Sequence, residues 1–121
     1  MKPSKHFSLE EITCRCGCGE NNIDPKLYEI LEEFRVYCGS FPMITHCVNR
    51  CKKHNKDVGG VPKSKHIKGH AWDGHIKGMS VSMLHDLAKA AYNIDVISGG
   101  LGFYSWGIHI DTGKKRAWMG K

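Results

Sequence analysis

The ten residues from 64 to 73, SKHIKGHAWD, constrain the fold of this chain more than any other stretch. We predict a short strand over residues 71–76. Gly69 lies just before this strand and allows the preceding loop to close. His66 on the loop and Asp73 on the strand can therefore meet at one ion.

A second stretch, GIHID at residues 107–111, supplies the remaining part of the same pattern. On a strand, Gly107, His109 and Asp111 share one face, while the two isoleucines point into the core. Two histidines and one carboxylate are a common ligand set for catalytic zinc, with a fourth position left for water. We therefore predict a zinc site formed by His66, Asp73 and His109.

Helix signals lie on both sides of the first stretch. Residues 8–11, SLEE, form a capping box that opens a short helix. Asp24 followed by Pro25 predicts the start of a longer helix, and apolar residues at helical spacing continue it as far as Gly39. We predict that another helix begins at Ser82.

The other segments predict strands, loops and turns. We expect strands over residues 41–48, 95–98 and 107–112, a surface loop over 49–68 and a glycine turn over 99–102. Such a series is typical of an α+β fold, with an antiparallel sheet and helices on one face. A chain of 121 residues is expected to form one domain, residues 1–121.

Three of the six cysteines lie in the loop of residues 14–19, CRCGCG. Neighbours at this spacing rarely bridge each other, because a disulfide needs Cα atoms about 5.5 Å apart with converging side chains. Two interpretations stay open. Cys14, Cys16, Cys18 and Cys51 form a structural zinc site, although the spacing fits no standard zinc finger, or the loop forms disulfides with later cysteines.

Composition excludes several classes of function. The net charge is +6, but the lysines are scattered and no nucleic-acid-binding motif is present, so we expect no nucleic-acid partner. The same charge favours a polyanionic surface such as a bacterial wall. No segment approaches the roughly 20 apolar residues of a membrane span. The N-terminus lacks the apolar stretch of a secretory signal.

Taken together, these motifs resemble a known family of enzymes. Residues 64–73, followed by His-Ile-Asp at 109–111, are similar to the zinc D-Ala-D-Ala carboxypeptidases and the phage endolysin metallopeptidases. This family is related to the vancomycin-resistance carboxypeptidases and to the zinc fold of hedgehog. The resemblance covers nearly the whole chain, since residues 7–19, 48–62 and 100–104 also match in order and spacing.

The resemblance implies roles for individual residues. His66, Asp73 and His109 fall on the zinc ligands. Arg50 falls on an arginine that holds a carboxylate or carbonyl of the substrate, a role that suits its planar charged group. Ser64 falls on the first motif's serine, which orders the loop or contacts substrate.

This chain departs from the family at the general base. Many members carry an acidic residue three positions before the last histidine, where this chain has Trp106. Asp111 shares a strand face with His109, so it acts either as the catalytic base or as a group that orients His109. Tyr104 and Trp106 are expected to line one side of a peptide groove.

The resulting hypothesis is a zinc metallopeptidase that hydrolyses stem or cross-link peptides of peptidoglycan, D,D- or L,D-specific, as a carboxypeptidase or an endopeptidase. We expect a monomer, made in the cytoplasm, that acts on the cell wall after release or export and has a phage or prophage origin. The alternative is a zinc-binding wall-recognition or phage structural module with little or no activity, which the lack of an acid at position 106 favours.

Overall fold

The structure, a computed structural model, describes residues 6–21, 23–60 and 64–120. Its first helix, α1, spans Leu9–Ile12 and begins with the predicted capping box. The backbone N–H of Glu11 donates to Ser8 Oγ over 3.2 Å, and the N–H of Ser8 donates to Glu11 Oε1 over 3.1 Å. Both bonds satisfy amide groups that have no partner inside the helix.

The long helix α2 spans Pro25–Tyr37 and also begins where the sequence predicts. The Asp24 carboxylate accepts a hydrogen bond of 2.9 Å from the N–H of Lys26, and Pro25 occupies the first turn. Gly39 ends the helix with a φ of 103°, which a residue with a side chain rarely adopts. Its buried residues form the apolar stripe: Leu27, Ile30, Leu31 and Phe34.

Two further helices complete the helical part. The helix α4 spans Val81–Asn93, and its cap is Ser80, two residues before the predicted start. Residues 49–68, predicted as loop, contain the helix α3, Lys52–Asp57, and a 3₁₀ turn, Lys65–Lys68. The prediction of loop was wrong there because α3 has no apolar stripe and depends on its cap, Cys51. Residues 61–63 of this segment lie outside the described residues.

The described residues form one sheet of five strands: β1 (Met43–Cys47), β2 (Ala71–Ile76), β3 (Gly100–Phe103), β4 (Ile108–Asp111) and β5 (Arg116–Met119). Their order across the sheet is β1-β2-β4-β3-β5. Neighbouring strands are antiparallel except for β3 and β5, which run parallel. The bounds of β2 are those predicted, while β5 was not anticipated.

The segment around β3 corrects two predictions. Residues 95–98 are not a strand, because Asp95 has a φ of 62° and the chain folds back onto the end of α4. There the N–H groups of Val96 and Ile97 donate to Ala91 O over 2.9 and 3.2 Å. Residues 99–102 are not a turn, because residues 100–103 form the strand β3.

The glycines of β3 are required by close packing rather than by a turn. A Cβ atom on Gly102 would lie 2.8 Å from the indole of Trp118. A Cβ atom on Gly100 would lie 2.6 Å from the Asp111 carboxylate and 2.3 Å from the Arg116 guanidinium. Bulky side chains of neighbouring strands therefore fill the space above β3.

The sheet has one apolar face and one polar face. On the apolar face, side chains of β2, β3 and β4 form the core with α2 and α4, including Trp72, Ile76, Leu101, Ile108 and Ile110. Helix α4 packs on β2 and β3, and α2 packs on α4, so the predicted α+β architecture is confirmed. The opposite face carries Asp73, His109 and Asp111, and the functional site lies there.

Among the described residues, the longest helices have 13 residues. A helix needs about 20 residues to cross a bilayer. None of the described helices reaches that length.

We expect Asp24→Ala to lower the free energy of unfolding by about 1 kcal/mol, because the cap of α2 is lost. Asp24→Asn should cost less, since asparagine also caps helices. Burial raises the pKa of Asp24, but the N–H of Lys26 and the nearby His70 ring outweigh burial and lower it. A carboxylate with a lowered folded-state pKa stabilises the fold above its unfolded-state pKa and loses that effect in acid.

Urea denaturation at neutral and acidic pH measures both effects. The difference between Asp24→Ala and wild type should be full at neutral pH and shrink as the pH falls through the acid range. Asp86→Ala, at an exposed position in α4, is the control and should stay within about 0.5 kcal/mol of wild type. A pH-independent cost of Asp24→Ala would contradict this interpretation.

Candidate metal centre

The pairing of β2 with β4 places two of the candidate ligands side by side. Asp73 lies directly opposite His109 in this antiparallel register. The Asp73 Oδ1 atom lies 2.8 Å from His109 Nδ1. Both side chains point away from the core, because residues 72 and 110 on either side point into it.

The third candidate ligand comes from the 3₁₀ turn before β2. Ser64 caps this turn by accepting the N–H of His66 over 3.2 Å, and Gly69 ends it with a φ of 70°. The turn places His66 Nε2 3.0 Å from Asp73 Oδ2. One ligand atom from each of His66, Asp73 and His109 lies within 4.8 Å of the others.

Hydrogen bonds behind His66 fix which nitrogen faces the site. His66 Nδ1 lies 3.0 Å from the Val48 carbonyl oxygen, which can only accept, so Nδ1 carries a proton and Nε2 faces the site. Nε2 is buried and lies 3.0 Å from Asp73 Oδ2, without the alignment of a regular hydrogen bond. An imidazole nitrogen and a carboxylate oxygen at this distance need a proton or a metal cation between them.

His109 is held from behind by Asp111. His109 Nε2 lies 2.8 Å from Asp111 Oδ2, so this nitrogen donates and Nδ1 faces Asp73. The same carboxylate accepts a forked pair of bonds from Arg116, at 3.0 and 2.8 Å. It also accepts the N–H groups of Gly100 and Gly113. Asp111 is fully buried, and both of its oxygens are occupied.

The electrostatics of the cluster favour a positive charge at its centre. Burial alone raises the pKa of Asp73, but His109 and His66 outweigh it and hold the pKa well below the usual range. Burial alone lowers the pKa of His66, but Asp73 outweighs it and raises the pKa to about 10. In the metal-free chain, protons supply the positive charge; a metal cation would compete with them for the same atoms.

Arg50 and Ser64 lie beside this cluster. The backbone N–H of Arg50 donates to His66 O over 2.9 Å, which ties the two loops together. One terminal nitrogen of Arg50 donates to Ser64 Oγ over 3.2 Å. The Arg50 Nε atom is buried and has no hydrogen-bond partner among the described residues. By capping the 3₁₀ turn, Ser64 orders the loop. We had expected either this role or a contact with substrate.

Aromatic side chains lie beside the cluster. Tyr104 stacks on Trp106 with ring centroids 4.9 Å apart, and His46 packs against Trp106 at 4.5 Å. The Tyr104 hydroxyl reaches to 3.4 Å from Asp73 Oδ1. Burial and the nearby Asp73 raise the pKa of Tyr104, so its hydroxyl stays protonated at neutral pH. Trp106 is 40% exposed.

Three further residues contact the cluster, and sequence reasoning had singled out neither Cys47 nor Arg116 for this position. Cys47 lies opposite Asp73 in the β1–β2 pairing and interacts with His66. Trp118 packs on His109 with centroids 5.0 Å apart, and Arg116 pairs with Asp111. The run GKKR at 113–116 resembles a solvated charged turn, and no local signal distinguishes Arg116 within it.

The six cysteines are all free thiols in the structure. The sulfur atoms of Cys14, Cys16, Cys18 and Cys51 lie within 4.8 Å of one another. Cys38 is buried in the core instead. Of the two interpretations of the cysteine loop, the arrangement fits the thiolate cluster.

The class of protein follows from a comparison with family models. The model described as Peptidase M15 matches residues 5–111, which is most of the chain. This chain belongs to the peptidase M15 family, as the resemblance implied.

The curated relatives align with only part of this chain. The chain is 44% identical over 62 residues to the peptidoglycan L,D-endopeptidase MepK of Escherichia coli (strain K12), covering 50% of this chain and 31% of the relative. It is 33% identical over 90 residues to the probable peptidoglycan L,D-endopeptidase MepK of Haemophilus influenzae, covering 73% of this chain and 44% of the relative. The chain thus spans less than half the length of these relatives.

We expect Arg116→Ala to destabilise the protein by about 2 kcal/mol, because it removes the charged partner of the buried Asp111 carboxylate. Urea denaturation of the metal-free protein isolates this effect from any bound ion. Lys114→Ala, at an exposed position on the same turn, is the matched control and should cost less than about 0.5 kcal/mol. Equal stability of the two variants would show that Asp111 does not depend on Arg116.

Proposed function

We propose that this protein is a zinc-dependent peptidase that hydrolyses stem or cross-link peptides of peptidoglycan. The observation that carries the proposal is the convergence of one ligand atom each from His66, Asp73 and His109, with both histidines buried. Membership of the peptidase M15 family supports hydrolysis of peptide bonds. The relatives named as L,D-endopeptidases favour L,D- over D,D-specificity, and an endopeptidase over a carboxypeptidase.

The donor set fits zinc. Two imidazole nitrogens and one carboxylate oxygen are typical of catalytic zinc, and each histidine here is oriented by a hydrogen bond from its other nitrogen. When bound at such a site, zinc polarises the scissile carbonyl and lowers the pKa of a water ligand.

The residues around the cluster would bind and orient the peptide. Arg50 would hold a carboxylate or carbonyl of the substrate, because its Nε is unpartnered and its guanidinium is fixed by Ser64. Tyr104 would donate its proton to an oxygen near Asp73, since the hydroxyl stays protonated. The stacked rings of Tyr104 and Trp106 would cover one side of the peptide and exclude water.

For Asp111, the contacts favour positioning over proton transfer. A catalytic base must reach the proton that it removes. Asp111 is fully buried behind His109, and its oxygens already accept five hydrogen bonds. Asp111 would therefore set the orientation of His109 and strengthen it as a ligand.

The same observation supports the second candidate, a zinc-binding wall-recognition module with little or no activity. Asp111 is not free to act as a base, and position 106 holds a tryptophan rather than an acid. The two candidates differ in one measurement, the release of peptide products from purified muropeptides. Turnover by the zinc-loaded wild type supports the peptidase, and binding without turnover supports the module.

We expect His66→Ala and Asp73→Ala to lose this zinc and to lower muropeptide hydrolysis by at least about a thousandfold, because each removes a ligand. Zinc content by mass spectrometry and product formation by chromatography measure the two effects. His6→Ala, which removes an imidazole paired with Glu32, should match wild type in both. Full hydrolysis by metal-free protein would contradict the proposal.

We expect Asp111→Asn to weaken zinc binding by about ten- to a hundredfold while the variant still folds, because an asparagine can retain the contact with His109 but not its charge. Competition with a chromophoric chelator gives the affinity. At saturating zinc, activity should largely return. Loss of activity at full zinc occupancy would instead assign a direct proton-transfer role to Asp111.

We expect Arg50→Ala to lower kcat/KM about a hundredfold or more without loss of zinc, since an ion-paired substrate contact is worth about 3 kcal/mol. Arg50→Lys should recover only part of this, because lysine lacks the planar fork. Steady-state kinetics with a defined tetrapeptide substrate measure the effect. Unchanged kinetics in Arg50→Ala would remove Arg50 from the substrate site.

A further inference from the structure

A second cluster of ligand-type side chains lies where α1 leads into the cysteine loop. The N–H of Cys14 donates to Glu20 O over 2.7 Å and closes this loop. Gly17 and Gly19 have φ values of 89° and 83°, which allow the chain to turn between cysteines. Cys51 approaches from a different part of the chain, as the cap of α3.

The distances between sulfur atoms fit a metal site and not a disulfide. Cys14 Sγ lies 3.5 Å from Cys16 Sγ, and Cys16 Sγ lies 3.6 Å from Cys51 Sγ. A disulfide bond would bring two sulfurs to about 2.05 Å. With Zn–S bonds of about 2.3 Å, a tetrahedral site separates its sulfurs by about 3.8 Å. The observed distances are close to this value.

Backbone amides point at the same sulfur atoms. The N–H of Cys51 donates to Cys14 Sγ over 3.3 Å, and the N–H of His54 donates to Cys51 Sγ over 3.3 Å. The N–H of Glu20 donates to Cys18 Sγ over 3.5 Å. Such donors stabilise the negative charge of a thiolate and orient a metal's ligands.

We infer that Cys14, Cys16, Cys18 and Cys51 bind a structural zinc ion, separate from the centre formed by His66, Asp73 and His109. Four thiolates in a tetrahedral set select zinc among the divalent ions that a cell supplies, and they leave no open position for a substrate. The inference does not rest on the proposed peptidase activity, since no residue is shared between the clusters.

The cysteine cluster joins two segments that are distant in sequence. Cys51 directly follows Arg50, whose N–H binds the carbonyl of His66. The adjacent Asn49 donates its N–H to Ile12 O in α1. A zinc ion would therefore link the N-terminal segment to residues 49–51, which include Arg50. The six cysteines of the chain form no disulfide that could do this instead.

The exposure of two ligands makes a direct chemical test available. Cys16 and Cys18 are solvent-exposed, so iodoacetamide can reach both sulfur atoms when no metal is bound. The whole chain, purified with zinc, is treated with this reagent before and after a chelator, and again after a reductant alone. Peptide mass spectrometry then reads the alkylation of each cysteine.

We expect Cys16 and Cys18 to be protected until the chelator is added, and to react at least about tenfold faster afterwards. Rapid alkylation of the zinc-loaded protein would overturn the inference, because the thiols would be free. Protection that the chelator does not remove, but a reductant does, would also overturn it, because the cysteines would be in disulfides. Bound iron in place of zinc, found by metal analysis, would overturn the assignment of the ion.

Variants separate the two metal sites. We expect about two zinc ions per chain in wild type and about one in His66→Ala, whose Cys16 and Cys18 stay protected. In the Cys18→Ser variant, Cys16 should no longer be protected from alkylation. In the double variant His66→Ala/Cys18→Ser, which lacks a ligand of each site, the melting temperature should not change when a chelator is added. Cys38→Ala, which removes a cysteine outside the cluster, should keep both ions. Failure of the peptidase proposal alone would leave the alkylation pattern intact.

Discussion

The register between β2 and β4 is the constraint on which the site depends. It sets Asp73 opposite His109, and a shift of β2 by one residue would turn Asp73 into the core and away from His109. The register is held by apolar residues on the other face, because Trp72 and Ile110 can be buried only in this alignment. The energy of core packing thus fixes the geometry of a polar cluster on the opposite side of the sheet.

From this pair, a chain of polar contacts runs through the protein. Arg116 binds Asp111, Asp111 binds His109, His109 meets Asp73, and Asp73 meets His66, which ends on the Val48 carbonyl. Burying so many polar groups is costly unless each is paired. Among these contacts, the one between His66 Nε2 and Asp73 lacks the alignment of a regular hydrogen bond, and it lies where the three candidate ligands converge. This contact is therefore where we propose that an ion binds.

Local sequence signals predicted those parts of the fold that local interactions determine. Residues 71–76 form a strand with the predicted bounds, and the capping signals at Ser8 and Asp24 begin helices as expected. Spacing also selected His66, Asp73 and His109, which the fold brings together. The strand and the helix starts depend on residues within a few positions of one another, whereas His109 was selected by a separate strand motif at residues 107–111.

The parts that sequence reasoning missed depend on contacts between distant residues. The glycines of β3 resembled a turn because their partners, Asp111 and Trp118, are supplied by other strands. Arg116 is distinguished from its neighbouring lysines only by the buried carboxylate that it meets. The cysteines of residues 14–18 needed the position of Cys51 before a thiolate cluster could be told from disulfides.

X-ray diffraction from crystals of the zinc-loaded protein, measured on both sides of the zinc absorption edge, shows directly whether a zinc ion binds at this cluster. We expect an anomalous peak in the space bounded by His66 Nε2, the Asp73 carboxylate and His109 Nδ1, with Asp111 still bound to His109 Nε2. An empty space there, with His66 Nε2 donating a hydrogen bond to Asp73, would mean that the three residues form a polar cluster and not a metal centre.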